Sequence, residues 1–233
     1  MKPSAPGGQG GIIRQMPGGQ TYHAENMPLR VVMTVAYTVT DRQISGGPSW
    51  ISTDRFDIEA KAARSRTPDE LHVMLQHLLE ERFHLVLRRE TRQEPVWALV
   101  VDKGGSKMPV HDPADLDRPP MGLQGVRASD GSVCAGLNGR NVTMDYLAFT
   151  LSRSSDRTVI DRTGLPARYD LNLQFLPDAL KLAGGDSGAA PAISPDCADL
   201  ASALPKQLGL RLESAKGPVE FLLVEHAEKP TGN

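Results

Sequence analysis

Between residues 29 and 37 the chain places Leu29, Val32, Met33, Ala36 and Tyr37 at i, i+3, i+4, i+7 and i+8. That is one apolar stripe of a 3.6-residue helix, wide enough to face a core. Met144, Leu147, Ala148, Leu151 and Ser152 sit at the same intervals 115 residues later. Asn26 and Asn141 stand ahead of the two stripes, where an N-cap belongs. Beyond each stripe the period falls to two. RFDIEA (55–60) and RYDLNL (168–173) put Phe56, Ile58, Tyr169 and Leu171 on one face of a strand, and Arg55, Asp57, Arg168 and Asp170 on the other.

TPDEL (67–71) opens a second helix, with Thr67 as N-cap, Pro68 in the first turn and Glu70 completing a capping box. Leu71, Met74, Leu75, Leu78 and Leu79 form its inward stripe. Its counterpart is expected from Ser194-Pro195-Asp196, with Leu200, Leu204 and Leu208 facing in and Pro205 interrupting it. FHLVL (83–87) and PVWALVV (95–101) predict two strands hinged at the polar run RRETRQE. LGLRL (208–212) and PVEFLLV (218–224) repeat this around ESAKG, and PVEFLLV reads as an edge able to accept a partner strand. Residues 10–25 and 121–136 read as Gly-turned hairpins ahead of the first helix of each half.

The order of elements gives an α+β fold: a β-β-α-β-β-α-β-β unit present twice, an internal duplication with mainly antiparallel sheets covered by helices. The first repeat occupies 1–102, a linker 103–120 and the second repeat 121–233, with a Gly-, Ala- and Pro-rich insertion at 176–193.

Composition narrows the function classes. The 233 residues carry a net charge of −2, and aromatics make up only 5%. Neither a nucleic-acid partner nor an anionic membrane is favoured by such a balance. No apolar run approaches the roughly 20 residues of a membrane helix, so no membrane insertion is expected. The start, MKPSAPGGQGG, has no apolar signal-peptide core, which implies a cytosolic chain or one whose leader has been removed. Cys134 and Cys197 are the only cysteines, and two readings stay open: a disulfide, or two small buried thiols.

Candidate chemistry centres on the repeated polar residues. Asp41-Arg42 and Asp156-Arg157 are expected at the C-terminal ends of the first helices. They serve either as chain-turning ion pairs or as the polar rim of a groove. Arg55, Asp57, Arg168 and Asp170 suit an ion-pair lattice on an outer sheet face. Alternatively, Asp41, Asp57, Asp156 and Asp170 converge into a cluster that binds Ca²⁺ or supplies a general acid and base. His84 joins Asp57 and Asp170 as the catalytic set in that case. Trp50, in the loop GGPSW, either plugs a core or lines a recess that distinguishes the first half from the second. His72 and His77 are five apart, about 140° around a helix, so they share no face and are expected on solvated surfaces. GDSG (185–188) resembles the surroundings of a protease serine, but Ser187 lies in a low-complexity insertion without an upstream catalytic-histidine motif. No metal set and no cofactor are expected beyond Ca²⁺ in the catalytic reading.

The runs ISGGPSW, RFDIEA, LLEERFHLVLRRE and GLPARYDL, in this order and spacing, resemble the DUF3738 family, also labelled TIGR03435, abundant in Acidobacteria. The resemblance extends from Lys2 to the C-terminus. It implies a protein of unknown function with no catalytic residues to carry over, exported to the periplasm or secreted, with some relatives fused to membrane metallopeptidase sensors. Family members are expected to carry a leader and a strand ahead of residues 2–4, which this chain lacks. The expectation is therefore an extracytoplasmic module that binds a small molecule or a protein partner, with a secreted ester or lactone hydrolase as the alternative.

Overall fold

The computed structural model describes residues 2–4, 11–15, 21–63, 68–112, 122–127, 133–176 and 197–230. Thr67, Ser187, residues 194–196 and most of the expected insertion lie outside them.

The first half of the chain forms β1 (Lys2–Pro3), β2 (Ile12–Gln15), β3 (Thr21–Pro28), α1 (Leu29–Ala36), β4 (Ile44–Gly46), α2 (Trp50–Thr53), β5 (Arg55–Lys61), α3 (Pro68–Phe83) and β6 (Val86–Val101). The second forms β7 (Gly122–Arg127), β8 (Val133–Val142), α4 (Met144–Ser152), β9 (Val159–Asp161), β10 (Tyr169–Phe175), α5 (Leu200–Gln207) and β11 (Leu210–His226). This is the α+β composition that the periodicity implies. The strand orders are β1-β5-β3-β2, β10-β8-β7 and β4-β11-β6-β9. The first two sheets are antiparallel. In the third, β4 runs parallel to β11 and β9 parallel to β6.

The two expected hairpins around RRETRQE and ESAKG are instead two uninterrupted strands, β6 and β11. RRETRQE holds no Gly, Pro, Asn or Asp to start a turn. Its arginines reach across the strand pair, and Glu90 pairs with Arg88 and Arg92 along the strand. Arg88 Nε lies 3.0 Å from Glu225 Oε1, Arg89 Nη1 lies 2.8 Å from Glu220 Oε1, and the Arg92 guanidinium stands 4.6 Å from the Phe221 ring centroid. Arg88 faces Glu225 while Asp102 faces Arg211, so the two strands run in opposite directions. Gly217 makes no turn there; a Cβ at this position would meet the end of the Ile160 side chain, at 2.6 Å from Cδ1. PVEFLLV is likewise not an edge, because β11 lies between β4 and β6.

These long strands govern how the chain divides into compact units. One unit combines the chain up to Gln93 with the stretch from Pro218 onward; the other is built largely from Glu94 to Gly217. The units thus follow a different division from residues 1–102 and 121–233. PVWALVV of the first half belongs to the second unit, and PVEFLLV of the second half to the first. Each unit has its own core. In the first, Leu29, Val32, Met33, Phe56, Leu79 and Phe83 pack with Leu222 and Val224. In the second, Leu147, Leu151, Tyr169, Leu173 and Leu204 pack with Leu99. Burying one such side chain contributes roughly 1.5–3 kcal/mol, so the traded strands are integral to both cores.

Both helical stripes are buried as their spacing requires. α1 ends at Ala36, where Thr38 takes a left-handed φ of 51° and the Val39 N–H returns to Thr34 O at 3.1 Å. Asp41 therefore lies beyond α1, in a 3-10 turn (Asp41–Gln43), and Asp156 lies beyond the end of α4. The buried Gln43 of that turn donates to Glu220 O at 2.8 Å, tying β11 into the first unit. α5 starts after Asp199, whose side chain accepts the Ser202 N–H, and it runs through Pro205. Lys107 Nζ caps its end, 3.0 Å from the carbonyls of both Pro205 and Lys206. On α3, Leu71, Leu75 and Leu79 are buried while Met74 is exposed. His72 is buried too, rather than solvated, because it flanks that stripe; His77 is exposed.

Candidate functional site

The repeated Arg and Asp residues converge on backbone. In β3 the pairing with β5 shifts register between Ala24 and Met27, and Asn26 in the bulge has φ 55°. Asparagine is among the few non-glycine residues that tolerate this left-handed region. The Asn26 N–H donates to Asp57 Oδ1 at 2.9 Å, and Arg55 Nη1 donates to Asn26 O at 2.8 Å. The second unit has the same arrangement. Pairing of β10 with β8 shifts between Tyr169 and Leu171, and Asn141 also has φ 55°. The Asn141 N–H donates to Asp170 Oδ1 at 2.9 Å, and Arg168 Nη1 donates to Asn141 O at 3.2 Å. Each Arg-x-Asp pair thus clamps both backbone polar groups, N–H and C=O, of one bulged asparagine. Neither asparagine is a helix cap, since Pro28 and Thr143 occupy the N-cap positions.

A third partner reaches each aspartate from the outer edge of its strand. Ser4 donates its N–H to Arg55 O at 2.9 Å and its hydroxyl to Asp57 Oδ1 at 2.6 Å. His111 donates its N–H to Arg168 O at 2.8 Å and sets Nδ1 2.8 Å from Asp170 Oδ1. The imidazole is buried and the carboxylate is part-exposed. His111 carries no signal in the sequence, because it lies within residues 103–120, which read as a linker. Its equivalence to Ser4 becomes visible only when Val110 bridges to Tyr169 as Pro3 pairs with Phe56.

The other candidates occupy separate places. In the first unit, Asp41 is bound by the Arg30 guanidinium, which also donates to Asp41 O at 2.9 Å and Ile44 O at 2.7 Å; Arg42 stands exposed beside it. In the second unit, Asp156 Oδ1 accepts the Trp97 indole N–H at 2.8 Å, and the Arg157 guanidinium lies 5.2 Å from that ring's centroid. Asp41 and Asp57 therefore hold different partners, as do Asp156 and Asp170. Among the described residues no group of three or more His, Cys, Asp or Glu forms a metal-ligand set.

His84 pairs not with Asp57 but with Glu228, its Nδ1 lying 3.1 Å from Oε2. His226 Nε2 lies 2.9 Å from the other oxygen, and the Glu228 N–H donates to Phe83 O at 2.7 Å. The hydrogen bond from His226, and then the charge of His84, hold the Glu228 carboxyl below the usual carboxylate range. Trp50 is half-buried at the rim of the first core, stacked on Phe83 and edge-on to Phe56, each at 6.1 Å between centroids. Lys229 Nζ lies 6.0 Å from the Trp50 ring centroid and 2.7 Å from Asp54 Oδ2, and this contact lowers the Asp54 pKa.

Cys134 and Cys197 form a disulfide, with Cα atoms 5.9 Å apart. The described chain is thus a disulfide-bonded α+β protein whose two units share a peptide clamp. It belongs to the DUF3738 family of proteins of unknown function, whose pattern it matches over residues 30–227. No curated protein and no solved structure matches it.

Proposed function

We propose that the protein is an extracytoplasmic binding module, built from one ancestral unit used twice, that engages a small molecule or a protein partner. The observation that carries this reading is the use made of the repeated polar residues. Arg55, Asp57, Arg168 and Asp170 hold the Asn26 and Asn141 peptides, a scaffold role, so the feature that suggested catalysis is accounted for by the fold. The Cys134–Cys197 disulfide supports an oxidising compartment. The part-exposed Trp50 ring and the charged, exposed strand pair around Arg88–Glu94 supply surface for recognition. The test is affinity capture from periplasm or culture fluid, paired with a ligand-induced melting-temperature screen. A saturable partner, displaced by excess untagged chain, or a saturable thermal shift is the expected result. The absence of both a partner and a thermal shift would overturn the reading.

The hydrolase reading rests on one pair. A buried imidazole oriented by a carboxylate, as His111 is by Asp170, has the geometry of a general base. An ester and lactone panel, run with and without Ca²⁺, tests it. Activity that survives both His111→Ala and Asp170→Ala removes it.

A further inference from the structure

We propose that the Trp50 ring and the Asp54 carboxylate form a binding site for a primary alkylammonium group, occupied in this structure by the chain's own Lys229. The inference rests on the binding-module reading and names a ligand class for the first unit.

An aromatic face and a carboxylate are the two groups an ammonium ion needs. The ring attracts the cation within about 6 Å of its centroid, and the carboxylate accepts an N–H and balances the charge. Lys229 satisfies both requirements, at 6.0 Å from the Trp50 centroid and 2.7 Å from Asp54 Oδ2. The site is built into the fold rather than assembled by chance on a loop. Trp50 and Asp54 are separated by the single turn of α2, closed by the Asp54 N–H donating to Trp50 O at 2.9 Å. Phe83 stacks on the ring and Phe56 meets it edge-on. Asp54 keeps 38% of its side-chain surface open and Lys229 keeps 58%, so a second ammonium can reach the carboxylate.

Lys229 is delivered by a strap rather than by β11 itself. That strand ends at His226. Glu228 then fastens the strap through Phe83 O, His84 and His226. Ala227 packs against the first core. The lysine is thus a tethered ligand at an effective concentration on the order of millimolar, enough to compete with a weak external ammonium. The short distance to Asp54 makes the site selective. A primary ammonium can donate an N–H to the carboxylate, whereas a quaternary ammonium has none to give.

The test follows the two tryptophan indole N–H signals by NMR, assigned with Trp50→Phe, during titration with n-butylammonium chloride. Tetramethylammonium chloride at equal ionic strength is the control. In Lys229→Ala the Trp50 signal should shift saturably, at a midpoint at least about threefold lower than in the unaltered chain. Tetramethylammonium should shift it less, and Lys229→Ala/Asp54→Asn should abolish saturation. No saturable shift in Lys229→Ala, or an equal shift once Asp54 is replaced, overturns the proposal. An unchanged melting curve for each variant separates loss of the site from loss of the fold. A partner captured elsewhere on the molecule would leave the binding-module reading standing even if this titration fails.

Discussion

The Asn26 N–H and Asp57 Oδ1 meet at 2.9 Å across 31 residues of sequence, and Arg55 closes the same residue from its carbonyl side at 2.8 Å. The bulge in β3 is therefore held by a strand that forms later in the chain. Asp57→Ala removes the acceptor of both the Asn26 N–H and the Ser4 hydroxyl and should destabilise the protein by about 1–3 kcal/mol. Asp170→Ala should act alike in the second unit. Asn26→Gly and Asn141→Gly should be tolerated within about 1 kcal/mol, because glycine accepts a positive φ without strain. Urea denaturation of the four variants checks this, and an Asp57→Ala protein as stable as its parent would contradict the clamp.

A chain cut after residue 102 loses Leu222 and Val224 from the first core and loses the strand that pairs with β4. Residues 1–102 alone should show no cooperative urea transition. Co-expression with residues 103–233 should restore one. Circular dichroism of the fragment, alone and with its complement, reads the outcome.

The disulfide joins residues 63 apart in sequence. Its removal, by Cys134→Ser with Cys197→Ser or by reductant, should cost about 2–4 kcal/mol, mainly by freeing the unfolded chain. A melting curve taken with and without dithiothreitol measures this. An unchanged midpoint would place the bond outside the cooperative structure.

Tyr37 is buried, and its hydroxyl has no hydrogen-bond partner among the described residues. Burial, reinforced by Glu80 and opposed by Arg89, raises its pKa to about 12. The folded state then keeps the phenol proton after the unfolded state has released it. The contribution to stability is complete below pH 10, the unfolded value, and is lost as pH rises towards about 12. Tyr37→Phe should flatten this alkaline loss and should not weaken the fold at neutral pH, since it removes an unsatisfied hydroxyl while keeping the ring under Arg89. Unfolding free energies measured from pH 8 to 11.5 in both proteins decide it.

The elements were legible where one local rule governs them. The stripes Leu29–Ala36 and Met144–Ser152, and the alternation of RFDIEA and RYDLNL, each describe a surface that must be buried on one side whatever packs against it. The recurrence of Arg55-x-Asp57 as Arg168-x-Asp170 was equally visible, although its purpose was not. An Arg and an Asp two apart on a strand face look the same whether they meet each other, a ligand or a backbone bulge. Asn26 and Asn141 looked like helix caps because both stand just ahead of an amphipathic run.

Sequence by itself determined the helix faces, the strand alternation and the α+β class, because these depend on contacts within a few residues. Only the tertiary structure decided that RRETRQE and ESAKG are mid-strand: Arg88 and Arg89 meet Glu225 and Glu220, more than 130 positions away, on the strand that carries ESAKG. It also decided that the closing strands trade units, that Cys134 meets Cys197, and that His111 takes the place of Ser4 beside the aspartate. Each of these is a pairing of distant segments. Its free energy comes from partners that no local pattern names, so the residues carry their roles only once the chain has closed.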